Sequence, residues 1–353
     1  MKKVIHIYKT YKPFTQGGIE EYIDSIISYQ KSKFEYNLLS IGNVNNTSDK
    51  VKIFKKSFSF KSDIISFQLF FYLYKKVNKK KVILHLHTPW PSMELFLYIL
   101  GFENIVVTYH SDIVRQKFIN FFYKKINIKL LTRDNIKKII VTSKVYYETS
   151  KILMSLPVSK IKIIPIGVGS LMSPLKNSLN NKKKNILFIG SNRTYKGIDL
   201  LKRLIKEKNF NIVIIGSNLK ELRKFKNVKL YENINEIDKE KILSDSHLLL
   251  MTSTSRNEAF GIVLVEALRS GIPIISPKIN SGVGWINKHD ETGYQYDTKN
   301  FDDMCDKINK LMKIDEHSYI KMSNNAQIRY ERYFKLSKMI IEIEKVYSSI
   351  SNN

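Results

Sequence analysis

Ser255-Arg-Asn-Glu-Ala-Phe-Gly-Ile-Val-Leu-Val-Glu-Ala-Leu-Arg-Ser-Gly-Ile-Pro273 joins a turn, a glycine step and an apolar helical run, and carries Glu258 and Glu266 with seven residues between them. The pattern predicts a helix over 260–269. The first amides of such a helix, those of Phe260, Gly261 and Ile262, have no intrahelical acceptor and suit a phosphate. A helix rises about 1.5 Å per residue, so the two carboxylates should stand roughly 10–12 Å apart. That is too far for a glycosidase pair, which needs about 5–9 Å. It matches an extended nucleoside diphosphate, with Glu258 at the sugar end and Glu266 at the ribose end. A surface turn before a core helix, carrying two solvated acids, is the plainer alternative.

Outward from this segment, apolar β-branched runs alternate with helical patterns. Strands are expected at 3–8, 36–41, 82–86, 105–109, 138–142 and 162–166, then at 186–189, 212–215, 228–231, 248–251 and 272–276. Helices fill the gaps, as at 20–30, 200–208 and 302–313, and the last forty residues look helical. Such alternation argues for parallel sheets covered on both faces. The stretch 169–184, rich in Ser, Asn and Lys, interrupts the series, which then restarts. This favours two doubly wound α/β domains over one (β/α)8 barrel: 1–168, a linker at 169–184, 185–334, and a terminal helix at 335–353. Open α/β sheets bind ligands at the carboxyl ends of their strands.

The 353 residues suffice for two domains with real cores, and 43% of them are hydrophobic, in the globular range. The single cysteine, Cys305, forbids an intrachain disulfide and fits a reducing compartment; it is expected on a surface helix and inert. Met-Lys-Lys-Val-Ile-His-Ile-Tyr at the start reads as a buried strand rather than a signal peptide, and no apolar run is long enough to span a membrane. A cytoplasmic protein is the expectation. The formal charge of +27 calls for an anionic partner, whether lipid headgroups, nucleic acid or a phosphorylated acceptor. Between Ile113 and Lys184 the only acids are Asp134 and Glu148. Val114, Phe118, Phe122, Ile126 and Leu130 recur every four residues there, with Phe121, Tyr123 and Lys117, Lys124, Lys125 and Lys129 on other faces. The stripe reads as the core-facing side of a helix, whose extra aromatics and lysines suit an anionic bilayer.

Three further segments carry chemistry. Gly17-Gly18 follows the first strand, where backbone amides can approach a phosphate closely; a plain loop is the alternative. Gly190-Ser-Asn-Arg-Thr-Tyr-Lys-Gly197 places Arg193 and Lys196 after a strand, suited to neutralise a departing diphosphate, or simply solvated. His85 and His87 share one side of a strand, but no third ligand is near in sequence and no Asp-x-Asp follows, so no metal site is read; His6 and His247 earn no role. A G-x-G-x-x-G fingerprint after a strand and a G-x-x-x-x-G-K-[ST] loop are both missing, which speaks against a dinucleotide enzyme such as an epimerase and against a P-loop.

These segments, with Val106-Val-Thr-Tyr-His-Ser-Asp112, Ile163-Ile-Pro-Ile-Gly-Val168 and Gly282-Val-Gly-Trp-Ile-Asn-Lys-His-Asp-Glu-Thr-Gly293, occur in an order that resembles the family 4 retaining glycosyltransferases of GT-B fold. The resemblance runs over nearly the whole chain. It implies two facing Rossmann-like domains, the first for the acceptor and the second for the nucleotide-sugar, with a C-terminal helix crossing back to the first. It implies hexosyl transfer with anomeric retention, no metal and no cofactor, from a UDP- or GDP-sugar to a polyprenyl-linked glycan in O-antigen or capsule synthesis, at the cytoplasmic face of the anionic inner membrane. Glu258 and His110 are then the catalytic residues. His110 would serve the transferred sugar through a hydrogen bond or its carbonyl, and not as a general base. Gly17, Gly18, Arg193, Lys196, Phe260, Gly261, Ile262 and Glu266 hold the donor. The family's arginine after the first glycine is replaced by Ser191, leaving Arg193 or Lys196 to serve the diphosphate. Two alternatives stay open: a basic nucleic-acid binder, which lacks any recognisable binding motif, and a non-catalytic glycan-binding homologue.

Overall fold

The computed structural model describes residues 2–15, 17–113, 117–171 and 183–351, apart from the side chains of 117–123, 183 and 351. Val114, the side chains of Lys117, Phe118, Phe121, Phe122 and Tyr123, and the linker residues 172–182 therefore lie outside it. The chain divides into two units, Met1–Ile166 with Ser337–Asn353, and Gly167–Leu336.

In the first unit, β1 (Lys2–Ile7) is followed by α1 (Gly18–Ile27), β2 (Phe34–Gly42), β3 (Asn46–Thr47), β4 (Val51–Lys55) and a hairpin of β5 (Phe58–Phe60) and β6 (Asp63–Ile65). Next come α2 (Phe67–Lys75), β7 (Val82–Thr88), α3 (Pro91–Leu100), β8 (Ile105–Tyr109), α4 (Lys117–Leu131), β9 (Ile136–Val141), α5 (Lys144–Thr149) and β10 (Ile161–Ile163). The main sheet runs β10-β9-β8-β7-β1-β2-β4-β3, parallel except at β3. Val4, Ile7, Ile83, Leu84, Leu86, Val106 and Val107 are essentially solvent-free, as a sheet covered on both faces requires. Chain order reverses between β1 and β7, which opens a crevice at their carboxyl ends.

α4 corrects one expectation. Ile126 is exposed while Asn127 is buried, its Nδ2 donating to the buried Glu94 carboxylate at 2.6 Å. Among the described side chains of the expected stripe, Leu130 is buried and Ile126 is not, and Asn127 and Leu131 join Leu130 on the inward side.

The second unit repeats the design with β11 (Lys183–Ile189), α6 (Ile198–Glu207), β12 (Ile212–Ile215), β13 (Val228–Tyr231), α7 (Glu236–Asp245), β14 (Ser246–Leu250), α8 (Ile262–Arg269), β15 (Ile274–Pro277), α9 (Gly282–Ile286) and β16 (Gly293–Tyr296). Two helices, α10 (Phe301–Met312) and α11 (Glu316–Tyr333), close it. Its sheet, β13-β12-β11-β14-β15-β16, is all parallel and has the doubly wound order, with the switch between β11 and β14. α10 buries Phe301, Met304, Cys305, Ile308 and Leu311, one face at helical spacing. Cys305 is thus a core residue rather than a surface one, and burial pushes its thiol up, away from the reactive thiolate.

The last helix, α12 (Leu336–Ser351), joins the first unit from Ser337 onward. There Glu344 accepts from Ser32 at 2.7 Å, Glu342 pairs with Lys162 at 3.3 Å, and Tyr347 buries its ring against Phe34 and Tyr36. Two separate doubly wound sheets with this returning helix are the α/β architecture expected of the sequence, and not a closed barrel.

Candidate active site

In the second unit the loops after β11 and β14 leave the sheet at its switch point and are tied together. Thr252 Oγ1 donates to the Lys196 carbonyl at 2.7 Å, and the Thr254 amide donates to the Tyr195 carbonyl at 2.9 Å. Gly197 adopts φ 64°, and a Cβ there would lie 1.8 Å from the Thr252 carbonyl oxygen. Only glycine lets the two loops come this close.

The fastening brings Lys196 to Glu258. Lys196 Nζ lies 2.6 Å from Glu258 Oε2, with side-chain exposures of 16% and 10%, and Ser253 Oγ donates to the same oxygen at 3.1 Å. Burial works against the lysine's charge, but the Glu258 carboxylate outweighs it and raises the Lys196 ammonium above the ordinary lysine range. Arg193 is exposed beside it, close enough for its charge to oppose that of Lys196, and has no carboxylate partner among the described residues. Ser191, in the place of the family's arginine, receives the Arg193 amide on its carbonyl at 2.8 Å.

α8 begins at Ile262, two residues later than the sequence pattern suggests. Gly261, its N-cap, has φ 91° and ψ 74°, outside the helical region, so no helix can run through it. Phe260 is a core side chain, packed edge-on against Phe334 at 6.1 Å, and only its backbone is available at the helix start. The first-turn amides of α8 lack intrahelical acceptors by construction.

Glu266 lies in the second turn of α8, largely buried. Its Oε1 accepts from Lys239 Nζ at 2.9 Å, while Oε2 is buried with no hydrogen-bond partner. Lys239 also meets Glu236 at 2.8 Å; burial disfavours its charge, yet the two carboxylates hold its ammonium above the usual range. One turn further, Arg269 pairs with Glu240 at 2.8 Å and donates to the Gly169 carbonyl at 3.0 Å. Lys239, Glu240 and Arg269 escaped the sequence reading. Their signal was the spacing Glu236, Lys239, Glu240, which puts all three on one face of α7.

In the first unit the expected residues meet unexpected company. Gly17 caps α1, and a Cβ on it would lie 2.9 Å from Glu20 Oε2; the other Glu20 oxygen accepts from Thr10 at 2.6 Å. A buried carboxylate thus stands at this helix start, where it favours the helix dipole and disfavours a second anion.

His110 is one end of a buried histidine chain. Its Nε2 lies 3.1 Å from His87 Nδ1, and His87 Nε2 lies 2.9 Å from His6 Nδ1. His85 bonds Tyr347 Oη at 2.5 Å and Thr108 Oγ1 at 2.7 Å. Burial lowers His6 and His110 to about 3, and burial together with neighbouring imidazoles takes His85 and His87 well below the ordinary range. All four rings are neutral near pH 7, so His110 keeps a fixed edge, Nδ1, and its carbonyl for a ligand. The nitrogens of His6, His85 and His87 gather within 4.8 Å, a triad unforeseen from the sequence. Their ring centroids lie 4.6–5.2 Å apart, His87 stacked on both others and His6 tilted against His85, and both nitrogens of His85 and of His87 are already hydrogen-bonded. A tetrahedral ion needs lone pairs converging at about 2 Å, which stacked rings do not offer. Asp112 anchors the adjoining loop, accepting from Tyr109 at 2.8 Å and Ser150 at 2.7 Å.

Comparison with known proteins agrees with this architecture. Residues 173–329 match the family described as Glycosyl transferases group 1. The chain is 28% identical to the D-rhamnosyltransferase WbpZ of Pseudomonas aeruginosa, over 82% of this chain and 81% of that one. It is 27% identical to the O-antigen chain mannosyltransferase C of Escherichia coli, over 99% and 98%. Among solved structures, sucrose-phosphate synthase from Thermosynechococcus elongatus superposes with a TM-score of 0.78 at 16% identity, over 100% of both chains. Anabaena Alr3699/HepE in complex with UDP-glucose gives 0.76 at 17% identity, over 98% and 99%. The nucleic-acid-binding and non-catalytic readings find no counterpart among these proteins.

Proposed function

Starting from a chain that is a group 1 glycosyltransferase of GT-B fold in bacterial surface-polysaccharide synthesis, we propose that it moves a hexose from a UDP- or GDP-sugar to a hydroxyl of a polyprenyl-linked glycan, with anomeric retention and without a metal. The observation that carries this reading is the Lys196–Glu258 pair at 2.6 Å, at the β11–β14 switch point and just before the α8 amino terminus. Lys196 and the first amides of α8, at Gly261 and Ile262 with the Phe260 backbone beside them, supply the positive charge that a leaving diphosphate needs. Exposed Arg193 adds to that field. Glu258, held through Oε2 alone by Lys196 and Ser253, orients the sugar. The partnerless Oε2 of Glu266 is suited to accept from the ribose hydroxyls, which would satisfy a buried carboxylate oxygen.

In the reaction, the bond from the anomeric carbon to the β-phosphate oxygen breaks, and the acceptor oxygen bonds to that carbon from the same face. The acceptor proton passes to the departing phosphate oxygen, so no protein base is required. His110, neutral and steadied by His87, offers Nδ1 to a sugar hydroxyl and its carbonyl to the developing positive charge. For Gly17 and Gly18, Glu20 beside them favours a sugar hydroxyl over phosphate as the group they bind. Relatives named as mannosyl- and rhamnosyltransferases, and a structural neighbour with bound UDP-glucose, support this substrate class. Binding to the anionic inner membrane would bring the enzyme to its lipid-linked acceptor.

A thermal-shift screen with UDP, GDP, ADP and dTDP tests the reading. A ligand at about 100 times its Kd stabilises by about 2.7 kcal/mol, a readily measured rise. A flat response to all four would refute a nucleotide site in this unit.

A further inference from the structure

The first unit carries an apolar face that its own core does not use. On α2, Phe67 and Phe71 point outward, one turn apart, while Leu69 and Leu73 fill the core. On α3, Tyr98 and Ile99 are outward while Leu97 and Leu100 are buried. The β5–β6 hairpin adds Phe58 and Phe60, and these six side chains are 44–68% exposed. Contacts link the three elements that carry them: Phe58 packs on Phe67 at 6.0 Å, and Phe70 of α2 packs on Phe96 of α3 at 4.9 Å. Asp63 of the hairpin accepts from the Ser92 hydroxyl at 2.9 Å and from its amide at 3.1 Å, and Trp90 Nε1 donates to the Ile64 carbonyl at 2.9 Å. A monomer rarely leaves so many large apolar groups wet on neighbouring elements.

Charge identifies the occupant. From Lys50 to Leu100, which takes in the hairpin, α2 and α3, the sequence has ten lysines and two acids: Asp63, whose two oxygens are held by Ser92, and Glu94, which is buried and accepts from the Trp90 amide and Asn127. Lys56, Lys61, Lys75 and Lys76 are exposed around the face, and cations lie over its aromatic rings, Lys61 over Phe60 at 5.4 Å and Arg133 over Tyr98 at 4.1 Å. A second copy of this chain would bring the same cations into like-charge opposition. An anionic bilayer accepts both the aromatics and the lysines. Among the described residues no helix is long and apolar enough to cross a membrane, so the contact is interfacial.

We infer that the face formed by the β5–β6 hairpin, α2 and α3 docks on an anionic lipid bilayer. The hairpin is tied to the start of α3, directly after β7, at the carboxyl edge of the sheet where open α/β domains take their ligands. This gives the polyprenyl-linked acceptor of the proposed function its route to the enzyme, and in that respect the inference rests on that reading.

The test is co-sedimentation of the full chain with vesicles of phosphatidylglycerol and phosphatidylethanolamine. Phe58→Ser with Phe60→Ser should lower the partition coefficient about 100-fold, about tenfold per phenylalanine. Lys56→Ala with Lys61→Ala should lower it about 25-fold at low salt, and wild type should bind phosphatidylcholine vesicles far more weakly. Ile237→Ser with Ile328→Ser, equally exposed in the second unit, should change nothing. Wild-type partition in the phenylalanine variant overturns the inference. So does sedimentation velocity showing that the same variant dissolves a dimer while vesicle binding persists. Donor hydrolysis without vesicles separates the two readings: its absence in wild type counts against the transfer chemistry, while vesicle partition still decides the surface.

Discussion

Replacing Glu258 by alanine leaves Lys196 as a cation whose side chain is 16% exposed, 2.6 Å from a partner that no longer exists. Breaking a buried pair from one side costs about 3–5 kcal/mol, and the remaining exposure puts this case near the lower end, about 3 kcal/mol. In a unit of this size that lowers Tm by roughly 6–12 °C. The sign of the ligand effect is the informative part. Freed of Glu258, Lys196 should meet a diphosphate at least as well as before, so the thermal shift with UDP or GDP should equal or exceed that of wild type. Turnover should fall about 100-fold as the sugar loses its orienting group. Lys196→Met with Glu258→Met should recover most of the stability, because a matched apolar pair carries no desolvation cost, yet lose the nucleotide shift. Differential scanning fluorimetry with and without nucleotide, beside a turnover assay, reads all three quantities. If Glu258→Ala abolishes the nucleotide shift while Lys196→Met keeps it, the lysine is not the diphosphate cation and the mechanism fails.

Glu266→Ala should weaken donor binding by about 10–100-fold, the value of one or two hydrogen bonds to a charged group, with kcat changed far less; calorimetric affinity like that of wild type would remove it from the ribose. The buried histidines make the first unit acid-sensitive. Their folded pKa values lie below the unfolded 6.5, so stability is complete above about 6.5 and is lost as pH falls towards about 3. His6 and His110 should each contribute about 2 kcal/mol of that loss by pH 5. Tm measured from pH 7.5 to 4.5 should fall with uptake of more than one proton, and less steeply in His6→Asn; a flat profile would contradict the neutral chain. Gly197→Ala meets both φ 64° and the Thr252 carbonyl at 1.8 Å, so it should pry the two site loops apart, lowering Tm and nucleotide affinity together. An unchanged nucleotide response would show that the loop contact does not shape the site.

The doubly wound order was legible because strand runs such as Ile186–Ile189 and Ile212–Ile215 are apolar throughout, and short glycine-bearing loops follow them. β4 and β16 were not read as strands. Val51–Lys55 interleaves lysine with its apolar residues, and Gly293–Tyr296 is short and starts on glycine; both are strands because a neighbouring edge offers a ladder. The same limit governs the site. Glu258, Lys196 and Glu266 could be picked out from local spacing, but the bond joining Lys196 to Glu258 spans the sheet's switch point and is invisible along the chain. His6 looked like any strand histidine, and only the β1–β7 register, which sets it beside His85, places it in the chain that ends at His110.

The second unit spends three cation–carboxylate pairs around one short helix: Lys196–Glu258 before it, and Lys239–Glu266 and Arg269–Glu240 along it. Pairs this buried are poor stabilisers, because desolvation offsets most of their attraction. Apolar residues of similar volume would hold α7, α8 and the β11 loop together at least as well. What apolar packing cannot supply is a cation already dehydrated and fixed in place, with a counter-carboxylate that a diphosphate can replace electrostatically. Nor can it supply a carboxylate held by a lysine on one oxygen while the other stays unpaired. The arrangement makes sense if the site is charged before the ligand arrives, so that little reorganisation remains when the leaving group develops its charge. Under the proposed function the three pairs are not equivalent: Arg269–Glu240, which also ties down the Gly169 carbonyl, has the structural part, and the two whose carboxylates flank the start of α8 are those proposed to meet the donor.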